Sequence, residues 1–156
     1  MKLKTIAADY ARKGKQGLEI DLALLALNKE FNEEAIKKLE ALVPPKSCVL
    51  LPGSRMHFTK IINELALCLQ SKALVTSNIE NLKTVQADTL VIIKQSFRTG
   101  QTLREQIADL KDSGVKKILL LCIIANSSGR LEGFSAETGV EAKALVKTDE
   151  IEYIPG

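Results

Sequence analysis

Leu90-Val91-Ile92-Ile93-Lys94-Gln95-Ser96-Phe97-Arg98-Thr99-Gly100-Gln101-Thr102-Leu103 is the stretch from which the fold is read. Four aliphatic residues in a row, without alternation, predict a strand buried on both faces. Thr102 and Glu105 stand three positions apart, the spacing of a capping box, so a helix is expected to open at Thr102. Leu103, Ile107 and Leu110 form its inward stripe, and Ser113-Gly114 its stop. Lys94 to Gln101 is then a loop between strand and helix. The first N–H groups of a helix have no internal partner, and the macrodipole adds partial positive charge there. Gly100 allows close backbone approach, Thr99 and Thr102 bring hydroxyls, and Arg98 brings a charged fork. Arg98, Thr99, Gly100, Gln101 and Thr102 therefore form a candidate phosphate cradle. Neither GxxxxGK[ST] nor GxGxxG spacing is present, and an ordinary capped turn is the alternative.

The same alternation of strand and helix signals extends in both directions. Upstream, Asn32 is the expected cap of a helix carrying Ile36, Leu39, Leu42 and Val43, which Pro44-Pro45 ends. Cys48-Val49-Leu50-Leu51 reads as a buried strand and Pro52-Gly53-Ser54-Arg55 as the loop after it. Phe58, Ile61, Ile62, Leu65 and Cys68 form a helical stripe, and Ala73-Leu74-Val75 a short strand. Thr76 to Asp88 is a polar loop. Downstream, Lys117 to Ile124 is the strongest strand, followed by a Ser127-Ser128-Gly129-Arg130 turn, a helix from Glu137 to Val146 and a strand from Ile151 to Ile154. Residues 1–31 are the least legible. Leu18, Ile20, Leu22 and Leu24 alternate as in a strand, while Leu18, Leu22 and Leu25 fit a helix equally well. Arg12-Lys13-Gly14-Lys15 reads as a solvated turn. The expected architecture is α/β: a three-layer, Rossmann-like arrangement in which helices flank a mainly parallel sheet, with residues 1–156 as a single domain. Ligands of such sheets sit beyond the carboxyl ends of the strands.

Composition narrows the function classes. The chain has 156 residues, 46% hydrophobic and 26% charged, which excludes disordered, collagenous and disulfide-scaffold proteins. A net charge of +3 favours an anionic ligand but is too small to identify a nucleic-acid binder. With 4% aromatics and no Trp, a base-stacking surface has few residues to use. Cys48, Cys68 and Cys122 have no zinc or CxxC spacing and read as buried thiols in a reducing compartment. No metal site is expected from them or from His57, the only histidine, which is either a helix-start residue or a contact to a phosphorylated ligand. Met1-Lys2-Leu3-Lys4 leads into no apolar signal core, and no run approaches a membrane span, so a cytoplasmic protein is expected.

The Leu90–Leu103 segment resembles the signature of the type I phosphoribosyltransferases, in which four aliphatic residues precede two acidic residues and a loop ending in Thr-Gly-x-Thr. Val49-Leu50-Leu51-Pro52-Gly53-Ser54-Arg55 is similar to that family's earlier strand and pyrophosphate loop, and Thr59 to Leu69 to the helix after it. The resemblance spans roughly residues 33–125. It implies a phosphoribosyltransferase-like fold and a site for phosphoribosyl diphosphate. Arg98, Thr99, Gly100, Gln101 and Thr102 would hold the 5′-phosphate, and Gly53, Ser54 and Arg55 the pyrophosphate. The family reaction replaces pyrophosphate at C1 of the sugar with a nitrogenous base, usually with magnesium.

The departures from the pattern bear on activity. Lys94 and Gln95 stand where the resemblance places the acidic pair that holds the ribose hydroxyls, and Arg98 stands where purine-type members carry an Asp. Carboxylates accept hydroxyl protons and attract magnesium, whereas Lys and Arg only donate. A cation ~4 Å from a developing oxocarbenium opposes it by roughly 4 kcal/mol at an effective dielectric of 20. The expectation is a protein that binds a phosphorylated ribose compound, such as phosphoribosyl diphosphate or a nucleotide, with weak or no transferase activity; magnesium enters only if the chain is catalytic. Two alternatives stay open: an active phosphoribosyltransferase, and an adaptor or nucleic-acid-interacting module that uses Arg12-Lys13-Gly14-Lys15 and the cationic loop. Lys94 snorkelling to solvent is the ordinary alternative for that residue. Dimers are common in the resembling family, so a homodimer is among the expectations it brings.

Overall fold

The computed structural model describes residues 2–14, 17–53, 57–78, 87–110, 114–126 and 128–151. The aliphatic runs form the strands they predict: β3 (Cys48–Leu50), β5 (Thr89–Phe97) and β6 (Lys117–Ala125). With β4 (Leu74–Thr76) and β7 (Glu141–Lys147) they build a five-stranded sheet in the order β4-β3-β5-β6-β7. Every pairing in it is parallel, with Val91 opposite Val49 on one side and Leu119 on the other. An antiparallel hairpin, β1 (Ala11–Gly14) and β2 (Gly17–Ile20), stands apart from it.

Period-two alternation divides the sheet's side chains between two cores. Val49, Val91, Ile93, Leu119 and Leu121 face one layer, where they meet Leu3 of α1 (Lys2–Ala8), Phe31, Ala35 and Leu39 of α3 (Lys29–Leu42), and Ile61 and Leu65 of α4 (Thr59–Leu69). Cys48, Leu50, Leu90, Ile92, Leu120 and Cys122 face the other, against Leu103 and Ile107 of α5 (Gln101–Leu110) and Leu131 and Phe134 of α6 (Ser128–Thr138). Both faces are covered, so the strands need no polar alternation, and each fully buried Leu or Ile contributes about 1.5–3 kcal/mol. This is the three-layer α/β architecture expected.

Several local expectations are corrected. The α3 helix starts at Lys29, with Asn28 as its cap: the Asn28 side chain accepts from the Phe31 N–H at 2.8 Å. Asn32 instead lies buried inside the helix and donates from Nδ2 to the Ala26 carbonyl at 2.9 Å. Glu141–Lys147 forms an edge strand, not the second half of a helix, and the Ser127–Arg130 turn gives way to a helix from Ser128. Lys94 to Phe97 continue β5, so the strand runs four residues further than its aliphatic core. Leu69 takes the inward position expected of Cys68, which is exposed. In the N-terminal region the strand and helix signals are both realised, in succession, as β2 and then α2 (Leu22–Leu25); Arg12-Lys13-Gly14 lies in β1 rather than in a turn. Lys15, most of the Thr76–Asp88 loop, Ser113 and the strand expected after Ile151 lie outside the described residues.

Candidate functional site

Parallel register points the carboxyl ends of β3, β5 and β6 the same way; Phe97 lies opposite Ala125, while β3 ends earlier, with Leu50 opposite Ile92. Arg98 and Asn126, which follow β5 and β6, share one cleft, and Pro52-Gly53, after β3, shares another with Lys94. Sequence alone could bring these loops together only through the fold.

The turn after β5 is short. Gly100 has φ +73°, and its carbonyl accepts from the Arg104 N–H at 2.9 Å, so the helix opens directly after the glycine. Thr102 is thus the second helical residue, not the cap, and the expected capping box does not form. The reason is tertiary packing. Gly100 packs between the rings of Phe97 and Phe134, where a Cβ would come within 2.8 Å of both. The two rings meet edge to face with centroids 5.3 Å apart. Only glycine combines that close approach with a left-handed φ. Arg104 braces the outer side: Nη1 donates to the Thr99 carbonyl at 2.6 Å, while Nε and Nη2 donate to Oε2 of Glu137. Its guanidinium also lies 5.2 Å from the centre of the Phe134 ring. Phe134 and Arg104 were not singled out from sequence, because one reads as core and the other as helix surface.

Arg98, Thr99, Gln101 and Thr102 are solvent-accessible around a cleft of about 400 Å³ that Lys94 and Ser96 also line. No carboxylate lines it among the described residues. A second cleft of about 270 Å³ lies between Pro52-Gly53, Ser77-Asn78, Lys94 and Gln106. Lys94 borders both. Ser54 and Arg55 of the expected pyrophosphate loop lie outside the described residues, while Gly53 is open: among the described residues, its chain neighbours aside, no atom lies within 4 Å of where its Cβ would stand.

Lys94 and Gln95 part company. As neighbours on a strand they face opposite layers. The Gln95 Oε1 accepts from the backbone N–H groups of His57, at 2.5 Å, and Phe58, at 3.2 Å. It caps α4, where the Phe58 side chain makes no capping bond of its own. Lys94 points to the other face, half-buried near Cys122. Burial lowers its pKa below the ordinary lysine value, and burial pushes the Cys122 thiol up to about 12. His57 is exposed at the helix start, and it borders a third cleft of about 310 Å³ with Arg12, Glu19, Asp21, Arg98 and Asn126. This cleft brings the N-terminal hairpin to the strand ends, which sequence could not place. Arg12 lies 3.9 Å from Glu19 there.

Among the described residues no group of three or more His, Cys, Asp or Glu side chains is arranged to hold a metal ion. The two clefts on the Lys94 face offer a cation and amides rather than carboxylates. This donor set does not fit the magnesium that the resemblance implies. No described helix is long and apolar enough to cross a membrane.

No protein-family model matches the chain, and no curated protein matches it. Solved structures do. The UMP synthase of Leishmania donovani superposes with a TM-score of 0.62 at 18% identity, over 96% of this chain and 36% of that one. The adenine phosphoribosyltransferase of the same organism gives 0.64 at 11% identity, covering 97% and 82%. The Mycobacterium tuberculosis orotate phosphoribosyltransferase, in complex with 5-phospho-α-D-ribosyl 1-diphosphate, gives 0.55 at 11% identity, covering 97% and 90%. The chain thus spans little more than a third of the UMP synthase but most of the other two. At these identities the likeness is one of fold, and the phosphoribosyltransferase-like architecture expected from the sequence is what it shows.

Proposed function

We propose that the protein binds a phosphorylated ribose compound at the carboxyl ends of β3, β5 and β6, and that it has weak or no transferase activity. The terminal phosphate is assigned to the turn formed by Arg98, Thr99, Gly100, Gln101 and Thr102, and a pyrophosphate group to Gly53, Ser54 and Arg55. The observation that carries this is the left-handed Gly100, which opens a ten-residue helix at the edge of an accessible cleft. The first amides of that helix have no helical partners, and its dipole favours an anion. A similar fold holding phosphoribosyl diphosphate supports the choice of ligand.

Weak activity follows from the side chains near the sugar. Gln95 spends its acceptor on the start of α4, and Lys94 brings positive charge to the other face. Neither offers a carboxylate to a ribose hydroxyl or to a cation that develops at C1. The test is pyrophosphate release from phosphoribosyl diphosphate with a panel of nitrogenous bases, alongside calorimetric titration of the same compound. Binding without release at enzymatic rates is expected; turnover on the order of 1 s⁻¹ or faster would identify an active transferase instead.

A further inference from the structure

An unsatisfied buried oxygen and a half-buried ammonium share the smaller cleft. The side-chain oxygen of Gln106 is buried with no hydrogen-bond partner among the described residues. The Lys94 ammonium borders the same cleft, and the ionisable group that acts on it is the Cys122 thiol, with no carboxylate doing so among the described residues. A buried acceptor without a donor costs free energy, and so does a half-buried ammonium without a counter-ion. Both are relieved by a ligand that carries a hydroxyl donor beside an anionic group. Rotation about the terminal bond of Gln106 is soft, so its oxygen can turn to such a ligand.

The position of Lys94 specifies more. It borders both the cleft at the Arg98–Thr102 turn and the cleft at Pro52-Gly53. A molecule anchored by one phosphate in the first and reaching into the second must pass the ammonium. We infer that Lys94 and Gln106 do the work that a divalent cation and its carboxylates would otherwise do: the ammonium balances an anionic substituent at C1, the amide oxygen accepts from a ring hydroxyl, and a pentose phosphorylated at both ends binds without a metal ion. The inference rests on the phosphate assignment to the Arg98–Thr102 turn. It also accounts for the misfit between the donor set and magnesium, since a fixed cation already occupies the place where the metal's charge would be needed.

Calorimetric titration of the full chain with phosphoribosyl diphosphate and with ribose 5-phosphate, each in excess EDTA and in excess magnesium, tests it. The affinity for phosphoribosyl diphosphate in EDTA should equal or exceed that in magnesium, because the metal competes with Lys94 for the diphosphate. Lys94→Met should weaken that ligand by ~tenfold or more and ribose 5-phosphate by less than ~threefold, while Lys94→Arg, which keeps the charge, restores most of the loss. Gln106→Leu should weaken both ligands by about the same factor, since both carry the ring hydroxyls. Binding of phosphoribosyl diphosphate that needs magnesium, or a Lys94→Met variant that binds it as tightly as the parent, would overturn the inference while leaving the phosphate assignment intact. Failure of both ligands to bind the parent chain would overturn that assignment and the inference with it.

Discussion

Gln95 on β5 accepts the N–H of Phe58 through its side-chain oxygen at 3.2 Å, a bond that joins the sheet to the first turn of α4 across 37 residues of sequence. The same oxygen takes the N–H of His57, the residue before the cap, so one amide serves two neighbouring backbone donors at the entry to the helix. Gln95→Leu leaves both without that acceptor and should lower stability by ~1–3 kcal/mol in urea denaturation. Gln95→Glu keeps an acceptor of the same shape and should be neutral or better, a charged acceptor at a helix N-terminus being favourable.

Arg104 holds the Thr99 carbonyl on one side and Glu137 on the other, over the Phe134 ring. A lysine there supplies charge but not the planar fork that spans both partners. Arg104→Lys should therefore weaken ribose 5-phosphate binding by ~three- to tenfold, consistent with the loss of about one hydrogen bond, with little change in melting temperature.

The charge on Lys94 should give anion binding a pH limit. Burial lowers its pKa from the usual 10.5, so the lysine loses its proton earlier than an exposed one would as pH rises. Affinity for phosphoribosyl diphosphate should thus fall with rising pH, beginning below 10.5. Cys122, with its pKa near 12, stays a neutral thiol through that interval, and the phosphate groups are already ionised. Lys94→Arg should remove the decline when titrations are repeated between pH 7 and pH 10.

The thiols should sort by burial. Cys48 and Cys122 are buried and their pKa values are raised by it, whereas Cys68 is exposed on α4. Thiolates, not thiols, react with disulfide reagents. A colorimetric thiol reagent at pH 8 should titrate one cysteine per native chain and all three in denaturant, and Cys68→Ser should abolish the native reaction.

Much of the fold was legible because strands buried on both faces must be aliphatic throughout. Val91 and Leu119 read as strand residues without any knowledge of their partners. Glu141-Ala142-Lys143-Ala144 misled for the opposite reason: these are helix-forming residues, and the edge position of β7, paired to β6 alone, overrides their preference. The Arg98–Thr102 turn could be marked as a candidate from its glycine and threonines, but the start of the helix could not be placed, since it depends on Phe134, more than thirty residues away. Gln106 was invisible. A glutamine on a helix ordinarily reads as solvated, and only the tertiary structure shows its oxygen buried beside Lys94's cleft. The split of Lys94 and Gln95 onto opposite faces follows from strand periodicity, yet it could be applied only once β5 was known to continue past Ile93.

The grip of the Gly100 turn on a phosphoryl group is tested most directly by calorimetric titration of ribose 5-phosphate and of unphosphorylated ribose into the parent chain and Gly100→Asp. Circular dichroism should accompany it, because the substituted side chain must displace the Phe97 and Phe134 rings. The parent should bind ribose 5-phosphate at least ~tenfold more tightly than ribose, and a folded Gly100→Asp should lose this preference. Should Gly100→Asp prove unfolded, Thr102→Asp carries the same test, with charge placed in the turn but no bulk between the rings. Equal affinity of the parent for the two sugars, or a preference that survives a carboxylate in the turn, would contradict this grip.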